Sequence, residues 1–380
     1  MKKEESFIIS LLRKSIYSEV PIEKYEGLDD LLVQSMIIKN GILPTVYPLI
    51  SCLDGTEKLQ ARLQMRFFSM IRQSANQTYE GNIVLAELTN AGFDCIALKG
   101  WELRNFYPKA NMRQMVDIDI LVRPYKYDVI REIMIGLGYN ADKESSWKHD
   151  NFRKDKVHIE MHKRLTDDSE LIQEWERKMW NRAVPVQEHL YKMTLEDFYI
   201  FHFIHMHKDF MNGSLGLRRI VDTWLLMNQS MDEDYILEEL KKFKLDTFRE
   251  RIENLARTVM DGDDIDENSR ILLNHALSIG IYGTRKSYKA GRIARMSLTG
   301  DMKQGKIKSW IAAIFLPLGR MKAQFPILEK YPILLPVCWI RRIAKFFDKG
   351  IGAYAQLMDY SEVDERDYQE MKLFFKAGGV

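Results

Sequence analysis

The stretch Asp117-Ile118-Asp119-Ile120-Leu121-Val122 is the most informative part of this sequence. Its aliphatic and β-branched residues predict an extended strand, in which residues two positions apart point to the same face of a sheet. Asp117 and Asp119 would then present two carboxylates on one face, about 6–7 Å apart along the backbone. Two carboxylates at that spacing can share metal ions.

A second strand is predicted over Val157-His158-Ile159-Glu160-Met161-His162, because apolar residues alternate with polar ones. Glu160 shares its face with His158 and His162, so pairing of the two strands would place a third carboxylate beside the aspartates. Oxygen ligands at this density suit Mg²⁺ or Mn²⁺ rather than zinc. The two histidines are candidates either for orienting these ligands or for structural hydrogen bonds.

A turn at Lys99-Gly100 follows a strand predicted over residues 93–98 and precedes a predicted helix. Gly100 would allow a phosphate to approach the backbone, and the helix N-terminus would favour that anion. Lys99 could neutralise a triphosphate. Arg113, just ahead of the acidic strand, is a second candidate for phosphate binding.

These motifs together predict metal-dependent nucleotidyl transfer, in which metal ions hold the attacking group and the leaving pyrophosphate. In this interpretation Asp117 and Asp119 bridge the metal ions. Glu160 holds the ion nearest the acceptor and assists the deprotonation of that acceptor.

No zinc site or disulfide framework is predicted. The three histidines of a helix predicted over residues 198–209 have the spacing i, i+3, i+5, so His207 does not share the face of His202 and His205. The three cysteines are far apart in the sequence, and we expect all of them to be buried thiols.

The composition is that of an ordinary globular protein, with 380 residues of which 46% are hydrophobic and 29% charged. The longest apolar runs are shorter than the about 20 residues of a membrane-spanning helix, so no transmembrane segment is predicted. The N-terminus lacks the apolar core and the cleavage site of a signal peptide. A cytoplasmic location is therefore expected.

Positive charge is concentrated towards the C-terminus. Residues 285–350 contain 15 Lys and Arg against three acidic residues, whereas the whole chain has a net charge of +2. Such a bias can attract a polyanionic partner, namely nucleic acid, anionic lipid or a phosphorylated substrate, or it can be a solvated helical surface. Four prolines divide residues 310–347 into short pieces, which favours packing onto the helical domain over membrane docking.

The organisation along the chain predicts four regions. Residues 1–92 form an N-terminal helical region with helices over 7–17, 28–40 and 56–90, the last one capped by Gly92. Residues 93–180 form an α/β core, in which Pro124 is expected to start a helix. Residues 181–284 form a helical domain, and residues 285–380 a basic, mostly helical region.

Four segments carry a family resemblance: Ala97-Leu98-Lys99-Gly100, the acidic strand with Arg113 before it, Gly136-Leu137-Gly138-Tyr139, and Ile159-Glu160-Met161-His162. Together they resemble the bacterial "uncharacterised nucleotidyltransferase" family, a branch of the DNA polymerase β-like superfamily. The resemblance covers about residues 28–227. It implies an α+β fold, with a minimal mixed β-sheet core between the N-terminal helices and a helical domain.

The resemblance also implies roles for particular residues. Asp117, Asp119 and Glu160 fall on the metal-carboxylate positions of the superfamily, whereas its usual Gly-Gly or Gly-Ser turn is here Lys99-Gly100-Trp101. In the helical half, Leu217-Arg218-Arg219-Ile220-Val221-Asp222 resembles this branch too. Arg219 and Asp222 would then face the nucleotide, or else form a pair on the helix surface.

The function expected from the sequence is a Mg²⁺-dependent, or Mn²⁺-dependent, nucleotidyltransferase. It would move a nucleoside monophosphate from an NTP such as ATP to an unidentified acceptor, which is a small molecule, RNA or protein, and release pyrophosphate. The alternatives are a nucleotide-binding regulatory module without turnover and a toxin-like enzyme that modifies tRNA.

Overall fold

The acidic strand lies in the middle of a seven-stranded mixed sheet. This computed structural model describes residues 2–17, 25–142, 148–165, 170–297, 300–348 and 359–380. The strands, in chain order, are β1 (Asp94–Ala97), β2 (Ile118–Arg123), β3 (Asn140–Ala141), β4 (His149–Lys154), β5 (Val157–His162), β6 (Val184–Gln187) and β7 (Leu190–Lys192). Their order in the sheet is β3-β4-β5-β2-β1-β7-β6, and the fold is α+β, as predicted.

Strand β2 pairs with β1 on one side and with β5 on the other. The pairing with β1 is antiparallel and the pairing with β5 is parallel, with Asp119 opposite Glu160. The apolar residues of β5, Val157, Ile159 and Met161, are buried, as the alternation in the sequence predicts. The two strands that carry the acidic residues are therefore direct neighbours.

Among the described residues, four helices precede the sheet: α1 (Lys3–Ile16), α2 (Asp30–Lys39), α3 (Leu43–Ile50) and α4 (Glu57–Asn90). The sequence pattern does not predict α3, because Pro44 and Pro48 are both within its eight residues. Pro44 lies in the first turn, where no backbone donor is needed, and burial of Val46 and Ile50 stabilises the short helix.

The 34-residue helix α4 connects two hydrophobic clusters. Leu59 and Leu63 near its start belong to the larger cluster, whereas Val84 and Leu88 near its end pack on the sheet. Gly92 caps the helix as predicted: its φ is +81°, and the amide of the following residue donates to the carbonyl of Leu88 at 3.1 Å.

A short helix, α5 (Gly100–Leu103), follows β1, and α6 (Tyr127–Gly136) follows β2. Ile130 and Met134 form the buried side of α6, as predicted. The prediction that Pro124 starts this helix is wrong. Lys126 is extended, with φ −122° and ψ 92°, so the helix begins only at Tyr127.

The rest of the described chain is almost entirely helical. The helices are α7 (Glu170–Arg182), α8 (Leu195–Phe210), α9 (Leu217–Met227), α10 (Glu233–Lys242), α11 (Asp246–Met260), α12 (Glu267–Ile279), α13 (Arg285–Met296), α14 (Met302–Ile314), α15 (Leu318–Gln324), α16 (Ile327–Lys330), α17 (Leu335–Asp348) and α18 (Glu365–Ala377). The larger hydrophobic cluster runs from α1 through α8 and α9 to α18, so the predicted ranges 1–92 and 181–284 share one core.

The basic C-terminal region is packed only in part. Helix α14 lies against α13, where Arg292 donates to the carbonyl of the fully buried Ser309 at 3.0 Å. Beyond α14, residues Met321, Leu328 and Cys338 form a separate small cluster. The expectation that every cysteine is buried is wrong for Cys52, which is exposed. Within the described ranges, no helix is both long enough and apolar enough to cross a bilayer.

Candidate active site

The three predicted carboxylates line one cavity of about 600 Å³ between the sheet and helices α8 and α9. Asp119 in β2 is opposite Glu160 in β5, and Asp117 immediately precedes β2. Asp119 is almost completely buried, with 3% of its surface exposed, whereas Asp117 and Glu160 are half-buried. The structure therefore brings together the three residues that the strand pattern selects.

Asp119 is held by two basic groups. Its Oδ1 atom accepts hydrogen bonds from Nζ of Lys99 at 2.5 Å and from Nε2 of His162 at 2.7 Å. Burial opposes ionisation of Asp119, but these two neighbours outweigh burial and lower the pKa of the carboxyl below its ordinary value. The same contacts raise the pKa of His162 against the effect of its own burial.

His162 also lies beside Glu160, with 3.4 Å between Nε2 and Oε2. Burial of Glu160 is outweighed by this histidine, so the pKa of Glu160 is lowered. The second predicted histidine, His158, instead contacts Asn151 of the neighbouring strand, with 3.0 Å between its Nε2 atom and the amide oxygen. Of the two open roles for these histidines, ligand orientation fits His162 and a structural hydrogen bond fits His158.

Asp117 carries the least compensated charge of the three acids. Burial and the nearby charge of Asp119 raise the pKa of Asp117 to about 6. Its carboxylate, His158 and Glu160 offer ligand atoms that lie within 4.8 Å of one another, as do His149, Glu160 and His162. These two groups mix histidine nitrogens with the carboxylates of Asp117 and Glu160, and Asp119 is in neither of them because Lys99 and His162 hold its Oδ1 atom. The carboxylate oxygens that line the cavity are of the ligand type that Mg²⁺ or Mn²⁺ favours.

The turn at Lys99-Gly100 differs from the predicted phosphate loop. Lys99 has a φ of +47°, and α5 is only four residues long, so the expected helix-dipole contribution to anion binding has no basis. A Cβ atom at Gly100 would lie 2.6 Å from Nη1 of Arg113 and 2.8 Å from Cγ of Met115. The glycine therefore makes room for the packing of Arg113.

Arg113 is part of a buried ion pair that the sequence did not predict. Its Nε and Nη2 atoms donate to the two carboxylate oxygens of Asp222 at 3.0 and 2.9 Å, and Tyr107 donates to the same carboxylate at 2.9 Å. Asp222 has no exposed surface. This contact fixes α9 to the segment that leads into β2. The positive charge of Arg113 is neutralised by Asp222 in this ion pair.

Arg219 and Asp222 do not form the expected pair on the helix surface. Arg219 instead contacts Asp209 and His205 of α8, with 3.2 Å between its Nη1 atom and Nδ1 of the histidine. Arg219 lines the cavity, whereas Asp222 lies behind it. Of the two residues taken from the resemblance in this helix, only Arg219 can reach a ligand.

Sequence analysis missed Arg218, Tyr282 and Tyr288, which also line the cavity. Arg218 and Asp222 are four residues apart, so they share one helical face, and this spacing was available in the sequence. The tyrosines follow α12 in the chain, and no local pattern connects them with the acidic strands.

A family model described as "Uncharacterised nucleotidyltransferase" matches residues 27–261, which is more than half of the chain. The chain belongs to this family. No curated protein and no solved structure matches it.

In this nucleotidyltransferase, the matched range contains the whole sheet, helices α8 and α9, and every residue predicted for the site. The matched range ends before α12, so Tyr282, Tyr288 and the basic C-terminal region lie outside it. The matched range thus spans the acidic strands that line the cavity and helix α9.

Proposed function

We propose that this nucleotidyltransferase transfers a nucleoside monophosphate group from an NTP to an acceptor hydroxyl or phosphate and releases pyrophosphate. The observation that supports this proposal is the position of Asp119 opposite Glu160 in parallel neighbouring strands, with Asp117 two residues earlier, all lining one cavity. Three carboxylates this close repel one another unless cations share the site. Mg²⁺ or Mn²⁺ is the cation that their hard oxygen atoms favour.

A divalent metal ion held by Asp117, Asp119 and Glu160 would offset negative charge on the phosphates and on the attacking oxygen. In the reaction, a bond forms between the acceptor oxygen and the α-phosphorus. The bond from the α-phosphorus to the bridging oxygen breaks, and its electron pair leaves with pyrophosphate. Glu160 accepts the proton of the acceptor, because its half-buried carboxylate faces the cavity.

The remaining groups position the carboxylates. His162 lies between Asp119 and Glu160, so it fixes the spacing of the two strands at their acidic residues. Lys99 places a positive charge at the cavity wall, where it can offset charge on the phosphates of the nucleotide.

Calorimetric titration with ATP, GTP, CTP and UTP, each with and without Mg²⁺, tests the proposal. We expect metal-dependent binding of at least one NTP, and we expect Asp117→Asn to lose it. Asp128→Asn is the matched control, because Asp128 is an exposed carboxylate on α6 that does not line the cavity. Lack of metal-dependent binding to all four nucleotides would contradict the proposal.

The acceptor can be found with NTPs labelled at the α-phosphate and fractionated cell extract. Label in a small-molecule or protein fraction would define the acceptor class, and label in tRNA would support the tRNA-modifying alternative. Metal-dependent NTP binding without label in any fraction would support the regulatory module. A cytoplasmic location is part of the proposal, in agreement with three cysteines that form no disulfide.

A further inference from the structure

Arg218 lies on the cavity wall opposite the carboxylates and is 92% buried, with 8% of its surface exposed. Its Nη1 atom donates to the carbonyl of Gln114 at 3.0 Å, and its guanidinium carbon is 5.7 Å from the centre of the Tyr282 ring. Gly41, with a φ of +66°, makes room for it, since a Cβ there would lie 3.1 Å from Nη1. The side chain is therefore held in place before any ligand arrives.

Arg218 forms no ion pair within the described part of the chain, and the nearby carboxylate of Asp222, which acts on its charge, is already paired with Arg113. Arg113 is paired with Asp222 and Arg219 with Asp209, but no carboxylate lies within ion-pair distance of Arg218. Its Nε atom is buried without a hydrogen-bond partner in the same described ranges. A buried, unpaired cation costs several kcal/mol, so a fold that retains one beside a cavity indicates an anionic ligand.

We propose that Arg218 binds the pyrophosphate portion of the nucleotide, the β- and γ-phosphates, on the wall that faces the metal-binding carboxylates. The guanidinium group suits this ligand because its planar donors match two phosphate oxygens at once. This inference rests on the proposed function, and it assigns the phosphates to Arg218 rather than to the adjacent Arg219, whose charge Asp209 already neutralises. A phosphorylated acceptor would offer the same chemistry with a single phosphate.

The test is calorimetric binding of inorganic pyrophosphate and of orthophosphate in EDTA, so that no metal contributes. We expect Arg218→Met to weaken pyrophosphate binding by about 10- to 100-fold, as is usual when a charged hydrogen-bonding group is removed. Arg219→Met should weaken it less, and Arg270→Met, an exposed arginine on α12, should leave it unchanged. Preferential binding of orthophosphate would assign Arg218 to a phosphorylated acceptor and overturn the proposal.

Thermal unfolding separates ligand binding from a structural role. Removing an uncompensated buried cation should raise the melting temperature of the ligand-free protein, so Arg218→Met should be more stable than the parent. A lower melting temperature with unchanged pyrophosphate affinity would show that Arg218 is structural. If the methionine variant does not fold, Arg218→Lys tests the same point, since it keeps the charge but loses the paired donors.

The result for Arg218 is independent of turnover. Metal-dependent NTP binding that requires Asp117 but not Arg218 would overturn this inference and leave the proposed function intact. Pyrophosphate binding that requires Arg218, in a protein that transfers no label, would support this inference and contradict the proposed function.

A separate observation concerns helices α14 and α17, each of which exposes an apolar stripe. In α14 the stripe has helical spacing and half-exposed side chains, Ile307, Trp310, Ile311 and Phe315. At α17 the stripe is Val337 and Ile340, together with Ile333 in the 3₁₀ turn just before the helix, and Ile333 is 86% exposed. Arg342 donates to the carbonyls of Ala313 and Ile314, so the two helices are neighbours.

Positive charge surrounds these stripes. Residues 302–344 contain eight Lys and Arg and one acidic residue, Glu329. The basic side chains Lys303, Lys308, Lys330 and Arg341 are exposed. Arg320 and Lys345 belong to the same basic set in the sequence, but their side chains lie outside the described residues.

We infer that this face docks on an anionic lipid surface. Exposed aliphatic and aromatic side chains gain free energy by entering the acyl boundary, and the surrounding lysine and arginine side chains attract anionic headgroups. A nucleic acid would use the positive charge but not the exposed isoleucines. The sequence-based expectation that residues 310–347 pack onto the helical domain therefore holds only for α14, which packs on α13.

Sedimentation with phosphatidylglycerol-containing vesicles at low and high salt tests this inference in the full chain. We expect salt-sensitive binding that Ile333→Ser with Ile340→Ser weakens by about tenfold, because these two exposed aliphatic side chains would enter the acyl boundary of the membrane. The matched control is Met65→Ser with Phe68→Ser, which removes two exposed apolar side chains from α4. Equal binding by both variants, or binding to an RNA oligomer but not to vesicles, would overturn the inference.

Discussion

Asp119 accepts hydrogen bonds from Lys99 and His162, whereas Asp117 forms no ion pair within the described ranges. We expect Asp117→Asn and Asp119→Asn both to abolish nucleotidyl transfer, because each loses a metal-binding charge. Their effects on stability should be opposite in sign without metal. Asp119→Asn removes the buried carboxylate that pairs with Lys99 and His162 and should cost about 3–5 kcal/mol, while Asp117→Asn relieves repulsion and should add about 1 kcal/mol.

Transfer assays at saturating Mg²⁺ and urea unfolding in EDTA measure the two effects. Near-native transfer by both variants would show that the site is wrongly assigned. Equal stability changes would show that Lys99 and His162 do not compensate Asp119.

Glu160→Gln should separate catalysis from binding. The transfer rate should fall by about 100-fold or more if Glu160 accepts the proton of the acceptor. NTP affinity should change little, since Lys99, Arg218 and the aspartates remain. Steady-state kinetics and calorimetry of the same preparation measure the transfer rate and the NTP affinity. Normal turnover of Glu160→Gln would contradict this division of roles, and so would a loss of NTP binding as complete as that of Asp117→Asn.

At the level of elements, α7 is tied to the chain after β5 by Glu176, which accepts a hydrogen bond from the amide of Leu165 at 3.1 Å. Burial raises the pKa of Glu176 to about 7 in the folded protein. Between about pH 4.5 and 7 the folded state then binds more protons than the unfolded state, so stability falls as the pH rises through this range. At pH 8, where the parent has lost this stability, Glu176→Gln should be more stable than the parent by up to about 3 kcal/mol.

Urea unfolding of the parent and of Glu176→Gln at pH 5 and pH 8 measures this difference. Glu174→Gln is the control, because that neighbour is exposed and pairs with Lys178 on the same helix. An identical pH dependence in the parent and in Glu176→Gln would contradict the role of the buried carboxyl.

The elements with a clear periodic pattern were the predictable ones. Strands β2 and β5 and helices α1, α2 and α4 follow from alternation or helical spacing, because each buries one face. Helix α3 does not, since packing overrides the two prolines within it. The start of α6 was misplaced because the local preference of Pro124 for a first turn gave no information about the extended backbone at Lys126.

The same distinction holds for the candidate site. Asp117, Asp119 and Glu160 were predictable because each lies in or beside a strand whose alternation fixes its face. The pairing of Arg113 with Asp222 joins residues 109 positions apart. Arg218 forms no ion pair among the described residues because the nearby acids pair with Arg113 and Arg219 instead. Such partnerships are set by tertiary packing, which a single sequence does not reveal.

For the whole molecule, the buried His202 and the half-buried His207 and His275 predict sensitivity to acid. Burial lowers the pKa of His202 to about 3 and the pKa of His207 and His275 to about 4. The folded state then binds fewer protons than the unfolded state below pH 6.5, so the stability present above that pH is lost as the pH falls towards 4. His207→Phe keeps a ring against Phe248 and should remove about 2–3 kcal/mol of this loss.

The measurement is the free energy of unfolding at intervals from pH 7.5 to 4.5. His149→Gln is less suitable as a second variant. That half-buried histidine lines the cavity, so its replacement would also change the candidate site. If His207→Phe and the parent lose stability in parallel as the pH falls, His207 does not contribute to the acid sensitivity.

Helix α4 also has a consequence for how the protein would behave if its backbone were cut. Its 34 residues span about 51 Å, and no residue from Gln64 to Ala75 is fully buried. Within α4, trypsin should therefore cut at Arg66 or Arg72, during brief local opening of the exposed middle of the helix. Because the larger hydrophobic cluster contains residues from both sides of the cut, the two fragments should migrate separately on a denaturing gel yet elute together from a gel-filtration column.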